Sequence, residues 1–452
     1  MGLPKPSGPF VVGCADIMTK VVQMPTNLTC PSSVLEKGVD FGMFARIYYP
    51  TEDESSKHYK EAKILPDEQT SLYASSMFSI FKLKWLSGLA SFALRGALQH
   101  SFIDAPLIPQ SKYDKTLGLD DETNKKFPLV VFSHGLIGFR HIYSTFCSDL
   151  ASHGYVVASV EHRDGSALPT YFMDPETNKA TSLPYMDHPT TENADEEIIQ
   201  MRNKQVNRRA EEVSKLLDLL HVVNKEPEII ENLFPSTFDL KTLKGRLDVE
   251  EPLIIGHSFG GATTLNSINK DDRFKCAIVL DPWFLPLTED EFYESGLKKP
   301  TFTIFTERFN WNKNIQRCQR FLDGLPKDYG EVITLKNAVH WDQCDGPGFM
   351  PWFLRAIGKF TGGIPQDHDY QQGIILQRQI ILDYFGKYLK QKTYPMPLLT
   401  DDYLLPDNFF LGMRVFNNKE KTEEVIEDEE TIPSKEQVVE TGKEEMMKKE
   451  EL

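Results

Sequence analysis

Six short runs of apolar residues recur along the chain: FPLVVFSHG (127–135), GYVVASVEH (154–162), LIIGHSFGG (253–261), CAIVLDPW (276–283), TFTIFTE (301–307) and EVITLKNAVH (331–340). They are rich in Val, Ile and Phe and mostly do not alternate with polar residues. A strand with one wet face alternates every second position, so continuous runs of this length predict strands buried on both faces, as in a parallel sheet. Stretches of helical character separate them, at 141–153 and 201–224. In the second, Val213, Leu216, Leu217 and Leu220 recur at helical spacing and define one apolar face. Strand and helix in alternation predict a doubly wound α/β domain with a mostly parallel central sheet and helices on both faces. No period of 20–50 residues repeats, which sets aside solenoids and propellers.

The pattern changes in two places. Residues 71–103 are apolar and aromatic, with Lys82, Lys84 and Arg95 as formal charges and no acid. The lysines interrupt the run before it reaches the roughly 20 residues a membrane span needs. Two readings stay open: a helical insert covering the sheet, or a basic amphipathic segment resting on a lipid surface. Beyond 417 the chain turns acidic, with 13 acidic and 6 basic residues and no aromatic side chain over 419–452. Such a segment cannot bury enough apolar surface to order itself. The expected division is one folded domain over 1–416 and a disordered acidic tail over 417–452.

Composition adds mainly exclusions. A chain of 452 residues, 40% hydrophobic, can fill a large core, and its net charge of −16 argues against a nucleic-acid partner, which would demand a basic face. The six cysteines show neither C-x-x-C nor His/Cys spacing, so free buried thiols are expected, with no zinc site and no other metal or cofactor. The N-terminus lacks the apolar core of an export signal, which points to a cytoplasmic protein. Oligomeric state is not legible.

Candidate chemistry centres on Gly256-His257-Ser258-Phe259-Gly260, which fits G-x-S-x-G and is followed by Gly261 and Ala262. A nucleophile elbow sets its serine on a sharp turn between strand and helix, and its neighbours must be small for the backbones to pass. An apolar LII precedes the motif and a helix-like ATTLNSIN follows it. A serine hydroxyl also needs a histidine to take its proton and a carboxylate to fix that histidine. In α/β-hydrolases the order is serine, acid, histidine.

Downstream of the elbow stand His340, at the end of a predicted strand, and His368, in the polar loop PQDHDY; His340 is favoured and His368 is expected to be a solvated surface residue. For the acid, Asp281, which closes the run CAIVL, is favoured, and Glu307 at the end of the next strand is its rival. The oxyanion requires backbone N–H donors, one from the residue after the nucleophile and one from the loop after an early strand. Phe259 and Leu136 fill those places, with His134 structural in the second loop.

These residues carry a family likeness. FSHGLIGFRHIYSTFCSDLASHGYVVASVEHRDGSA (132–167), GHSFGGATT (256–264), VLDPW (279–283) and NAVH (337–340), with VVGCADIM near residue 11 and TLKGRLD near 242, resemble the platelet-activating factor acetylhydrolases, as far as about residue 390. The missing export signal makes the chain more similar to the intracellular, type II branch. The resemblance implies an α/β-hydrolase fold and puts the family's Ser, Asp and His on Ser258, Asp281 and His340. Its oxyanion donors fall on Leu136 and Phe259. It further implies calcium-independent removal of an sn-2 acetyl or short oxidised acyl group from a glycerophospholipid, and peripheral association with membrane. The acidic tail has no counterpart in the resemblance. The alternatives are a general carboxylesterase or lipase, and a catalytically silent binding scaffold.

Overall fold

The structure is a computed structural model that describes residues 2–20, 42–65, 96–119, 126–168, 170–173, 179–183, 196–288, 299–309, 312–323, 330–349, 367–389 and 409–411, with a few isolated residues between these stretches. Most of 71–95 and all of 417–452 lie outside the described residues, whereas the end of the expected helical insert, Leu98–Ile103, is a strand of the sheet rather than helix.

The predicted parallel strands are present as β5 (Phe127–Ser133), β6 (Val156–Val160), β9 (Leu247–His257), β10 (Ala277–Leu280), β11 (Thr301–Thr306) and β12 (Gly330–Leu335). Their neighbour pairs β12–β11–β10–β9–β5–β6 are all parallel. Every residue of β5, β6, β10 and β11 is buried, as continuous apolar runs require.

An antiparallel extension was not read from the sequence as strands. β1 (Val11–Met18) pairs with β2 (Phe44–Thr51), and β2 pairs with β6, both antiparallel. Beyond β1 lie β4 (Leu98–Ile103) and β3 (Glu61–Lys63), and β13 (Phe409–Leu411) closes the opposite edge, giving eleven strands among the described residues. A separate hairpin joins β7 (Thr170–Met173) to β8 (Ala180–Leu183).

Among the described residues, five helices of nine or more residues cover the sheet: α1 (Ser144–Ser152), α2 (Glu196–Lys225), α3 (Phe259–Lys270), α4 (Asn312–Asp323) and α5 (Tyr370–Tyr388). The stripe Val213, Leu216, Leu217, Leu220 of α2 joins Leu265 and Ile268 of α3 and Val131 and Ile254 of the sheet in one core. On the other face, Phe146 and Leu150 of α1 and Ile374, Ile380 and Ile381 of α5 pack on Val130, Leu253 and Ile255. Neighbouring strand residues thus feed opposite cores, which explains why these runs are mainly apolar and admit polar residues only as small hydroxyls such as Ser159, Thr301 and Thr303.

Strand order also places the chemistry. From β5 the chain crosses to β6 on one side, whereas from β9 it crosses to β10 on the other. The loops leaving the carboxyl ends of β5 and β9 diverge, and such a switch point leaves a crevice for a ligand. The candidate oxyanion loop follows β5 and the candidate elbow follows β9.

Candidate active site

Ser258 caps α3 with φ 57° and ψ −117°, conformational space an L-residue enters at a cost. The turn is tight enough that a Cβ on Gly256 would lie 2.2 Å from the Gly260 carbonyl oxygen, and one on Gly260 would lie 2.0 Å from that of Ser133. Glycine is therefore a packing requirement at both positions. Ser258 is bracketed by the turn after β10, its N–H donating to Leu280 O at 2.8 Å and its carbonyl accepting from Trp283 N at 3.0 Å. Asp281 sits between those two contacts, at the same edge of the sheet as the elbow.

Asp281 is fully buried, and its Oδ2 accepts from His340 Nδ1 at 2.9 Å. Thr306, not foreseen from sequence, donates its N–H to Oδ1 and its hydroxyl to Oδ2, both at 2.6 Å. Burial raises the Asp281 pKa above the usual carboxylate value, and the bonds from His340 and Thr306 offset this only in part. His340 stands in a short turn (His340–Gln343) after β12, with the ring of Phe309 stacked on it at 3.9 Å and 9°. Of its two ring nitrogens, Nδ1 is spent on Asp281 and Nε2 is left for chemistry.

The rival acid has a different partner. Glu307 Oε2 accepts from Asn337 N–H at 2.6 Å and so braces the loop that leads to His340. For His368, the expected solvated surface role is corrected: its side chain is 8% exposed, and Nε2 lies 2.8 Å from both oxygens of Asp342. Asp342 in turn accepts the Val339 N–H and caps the turn that carries His340. His368 thus supports the histidine it competed with, a long-range contact with no local signal.

After β5, Gly135 and Gly138 close a turn through Gly138 N–H to Gly135 O at 3.1 Å, with Ile137 at φ 55°. The His162 N–H donates to His134 Nε2 at 3.1 Å, so His134 must carry its proton on Nδ1, which donates to Gly135 O at 2.8 Å. Burial keeps His134 neutral, in line with the structural role expected of it. Among the described residues, neither the Leu136 N–H nor the Phe259 N–H donates to another group. Two open donors thus stand on the two loops that flank the switch point.

Another unforeseen pair joins these loops. Gly135 N–H donates to Tyr143 Oη at 3.0 Å, and Tyr143 Oη lies 2.8 Å from His257 Nδ1. Burial, and after it the proximity of His340, hold His257 well below the usual histidine pKa, so the neutral ring accepts the phenol proton. Its ring lies 4.4 Å from that of His340, and its buried Nε2 has no hydrogen-bond partner. Donor atoms of His257, Asp281 and His340 fall within 4.8 Å of one another, a spacing a cation could use. Two of the three are already bonded to each other, and a metal would have to break that bond. The arrangement fits proton transfer better than metal binding.

A mostly parallel sheet with a strained serine after one central strand and a His–Asp pair at the same edge defines an α/β-hydrolase of the serine esterase type. A solved structure of a ferulic acid esterase from Streptomyces cinnamoneus has the same fold, with a TM-score of 0.56 at 19% identity, covering 91% of this chain and 99% of its own. The chain belongs to the family described as platelet-activating factor acetylhydrolase, isoform II, whose model matches residues 1–394. It is 33% identical over 397 residues to the platelet-activating factor acetylhydrolase of Canis lupus familiaris, covering 86% of this chain and 77% of the relative. The protein of the same name from Gallus gallus is 33% identical over 400 residues, with 86% and 84% covered.

Proposed function

We propose that the chain is a serine esterase that removes the sn-2 acetyl or short oxidised acyl group from platelet-activating factor and related glycerophospholipids. The observation that carries this reading is the His340–Asp281 bond at 2.9 Å beside a serine held at a strained elbow, in a chain of this family. In the proposed cycle Ser258 Oγ attacks the sn-2 carbonyl carbon while His340 Nε2 takes its proton. Asp281 steadies the imidazolium through Nδ1. The Leu136 and Phe259 N–H groups receive the charge on the carbonyl oxygen. His340 then gives its proton to the departing lysophospholipid oxygen. A water, deprotonated by the same imidazole, attacks the acyl-enzyme; as the C–Oγ bond breaks, the imidazolium returns that proton to Ser258 Oγ and the carboxylate leaves.

Association with a lipid surface belongs to the same proposal, supported by the basic, apolar segment 71–103. Among the described residues no helix is long and apolar enough to cross a membrane. Recovery of the protein with sedimented phosphatidylcholine vesicles supports surface docking; a protein wholly in the supernatant refutes it. A cytoplasmic location remains part of the proposal, to be read by cell fractionation.

Substrate class is tested by the relative rates on 1-alkyl-2-acetyl and 1-alkyl-2-palmitoyl glycerophosphocholine and on a triacylglycerol. The expected result is fast release of acetate and slow release of the long chain. Faster hydrolysis of the long-chain esters would make the enzyme a general lipase.

A further inference from the structure

Arg209, near the middle of α2, is completely buried, a costly place for a cation unless each of its donors is used. Its Nε bonds Asp164 Oδ2 at 3.1 Å and Ser166 Oγ at 2.9 Å. The remaining fork turns to the loop after β5, where Nη1 donates to His134 O at 2.6 Å and Nη2 approaches Gly135 O at 3.4 Å. The guanidinium carbon also lies 4.4 Å from the centre of the Phe259 ring. One side chain therefore touches both residues that offer open N–H groups, or the peptide that carries them.

The geometry has a direct consequence for those amides. In a trans peptide the C=O of one residue and the N–H of the next point in opposite directions. Two successive carbonyls, of His134 and Gly135, converge on one guanidinium, so the N–H groups of Gly135 and Leu136 are both turned away from it. Gly135 N–H is taken by Tyr143 Oη. The Leu136 N–H is thus directed to the side of its peptide opposite the guanidinium. A donor bonded to a peptide carbonyl also polarises that peptide and strengthens its N–H as a donor, more so when the donor is charged and the site is dry.

We propose that Arg209 is a positioning residue of the oxyanion site, which through the His134 and Gly135 carbonyls aims and polarises the Leu136 N–H toward the oxygen of the tetrahedral intermediate. The proposal rests on the esterase reading above. Asp164 and Ser166 anchor the guanidinium, and the salt bridge alone would not require the two carbonyl contacts.

The test uses the full chain. Arg209→Lys keeps a positive charge beside Asp164, but one ammonium cannot serve the carboxylate and two carbonyls at once. Expected for this variant is a kcat lower by roughly 10- to 100-fold, below the loss for removing an oxyanion donor outright, with KM within about threefold of wild type. An alkyl trifluoromethyl ketone, whose adduct with the serine carries the same oxyanion, should lose affinity by the factor lost in kcat/KM. The pH profile of kcat/KM should keep its shape, because the His340–Asp281 pair is untouched.

A folded variant with kcat within about twofold of wild type overturns the proposal, the expected loss being far larger. So does a loss in which KM rises and the pH profile shifts, which marks a disturbed structure. If Arg209→Lys does not fold, Asp164→Asn, which keeps the guanidinium and loosens its anchor, must show the same signature at smaller amplitude; unchanged kcat and ketone affinity overturn the proposal. Wild type and Ser258→Ala run beside these variants. An inactive wild type or an active Ser258→Ala removes the esterase reading itself, whereas a normal Arg209→Lys beside a dead Ser258→Ala removes only the role of Arg209.

Discussion

Two buried polar clusters in this molecule are built on opposite principles. Where β1, β2 and the loop after β5 meet, Asp16 is bonded by Arg46 and Arg140, and Arg140 also reaches Glu161 at 3.3 Å. Two cations face two anions, and although burial opposes it, the two arginines hold the Asp16 carboxyl well below its usual range. At the mouth of the switch point the reverse holds. Burial raises Asp281, His257 keeps an unpartnered Nε2, and Ser258 and Asp281 both have positive φ. Of six non-glycine residues with positive φ among the described residues, four (Ile137, Ser258, Asp281, Asn337) lie in the loops around this mouth. One cluster sets opposite charges against each other on residues without positive φ, although Glu161 Oε1 and His141 Nε2 keep no hydrogen-bond partner among the described residues. The other leaves capacity unused and stores strain, and it serves chemistry.

The contrast can be broken by substitutions on either side. Ser258→Ala should lower kcat on the order of 10⁶-fold, since removing the nucleophile of such a unit costs about as much as removing all of it. Circular dichroism and the melting curve should stay near wild type, and a steady-state assay on the sn-2 acetyl ester reads the loss.

Asp281→Asn should lower kcat by about 10⁴-fold, yet should leave the protein at least as stable at pH 8. The sign follows from the raised pKa: the folded state binds that proton more tightly than the unfolded chain, so stability is full below the unfolded pKa and is lost as pH rises through the folded one. The advantage of the variant should therefore grow from about pH 4 upward and then level, as read by urea denaturation across pH.

Arg46→Met addresses the Asp16 cluster. It should cost about 3–5 kcal/mol of stability by leaving buried charge uncompensated, with kcat per folded molecule unchanged. A matching loss of kcat would show that the two clusters are not separable. The smallest effect is expected of Ser258→Gly, which should gain about 1 kcal/mol by relieving the positive φ while abolishing turnover.

The same contrast governs what the sequence made legible. Parallel strands buried on both faces carry mainly apolar runs, so β5, β6, β10, β11 and the carboxyl-terminal halves of β9 and β12 could be read, and the elbow could be read because tight backbone passage leaves room only for small residues. β1 and β2 are just as buried, but Asp16 and Arg46 interrupt their apolar pattern, and only their pairing in space shows why those charges are tolerated. Asp281 is favoured over Glu307 by its place at the end of an apolar run, and the contact with His340 that goes with that choice is set by strand register rather than by local composition. His368, Thr306, Tyr143 and Arg209 support the site from separate parts of the chain, and no spacing along the sequence joins them to it.

The identity and activation of the nucleophile can be measured together by treating the folded protein with a fluorophosphonate ester and mapping the labelled peptide. The expected result is one adduct, on Ser258, formed rapidly in wild type and at a small fraction of that rate in His340→Ala. Labelling at any other residue, or labelling of Ser258 that does not depend on His340, would contradict the proposed site.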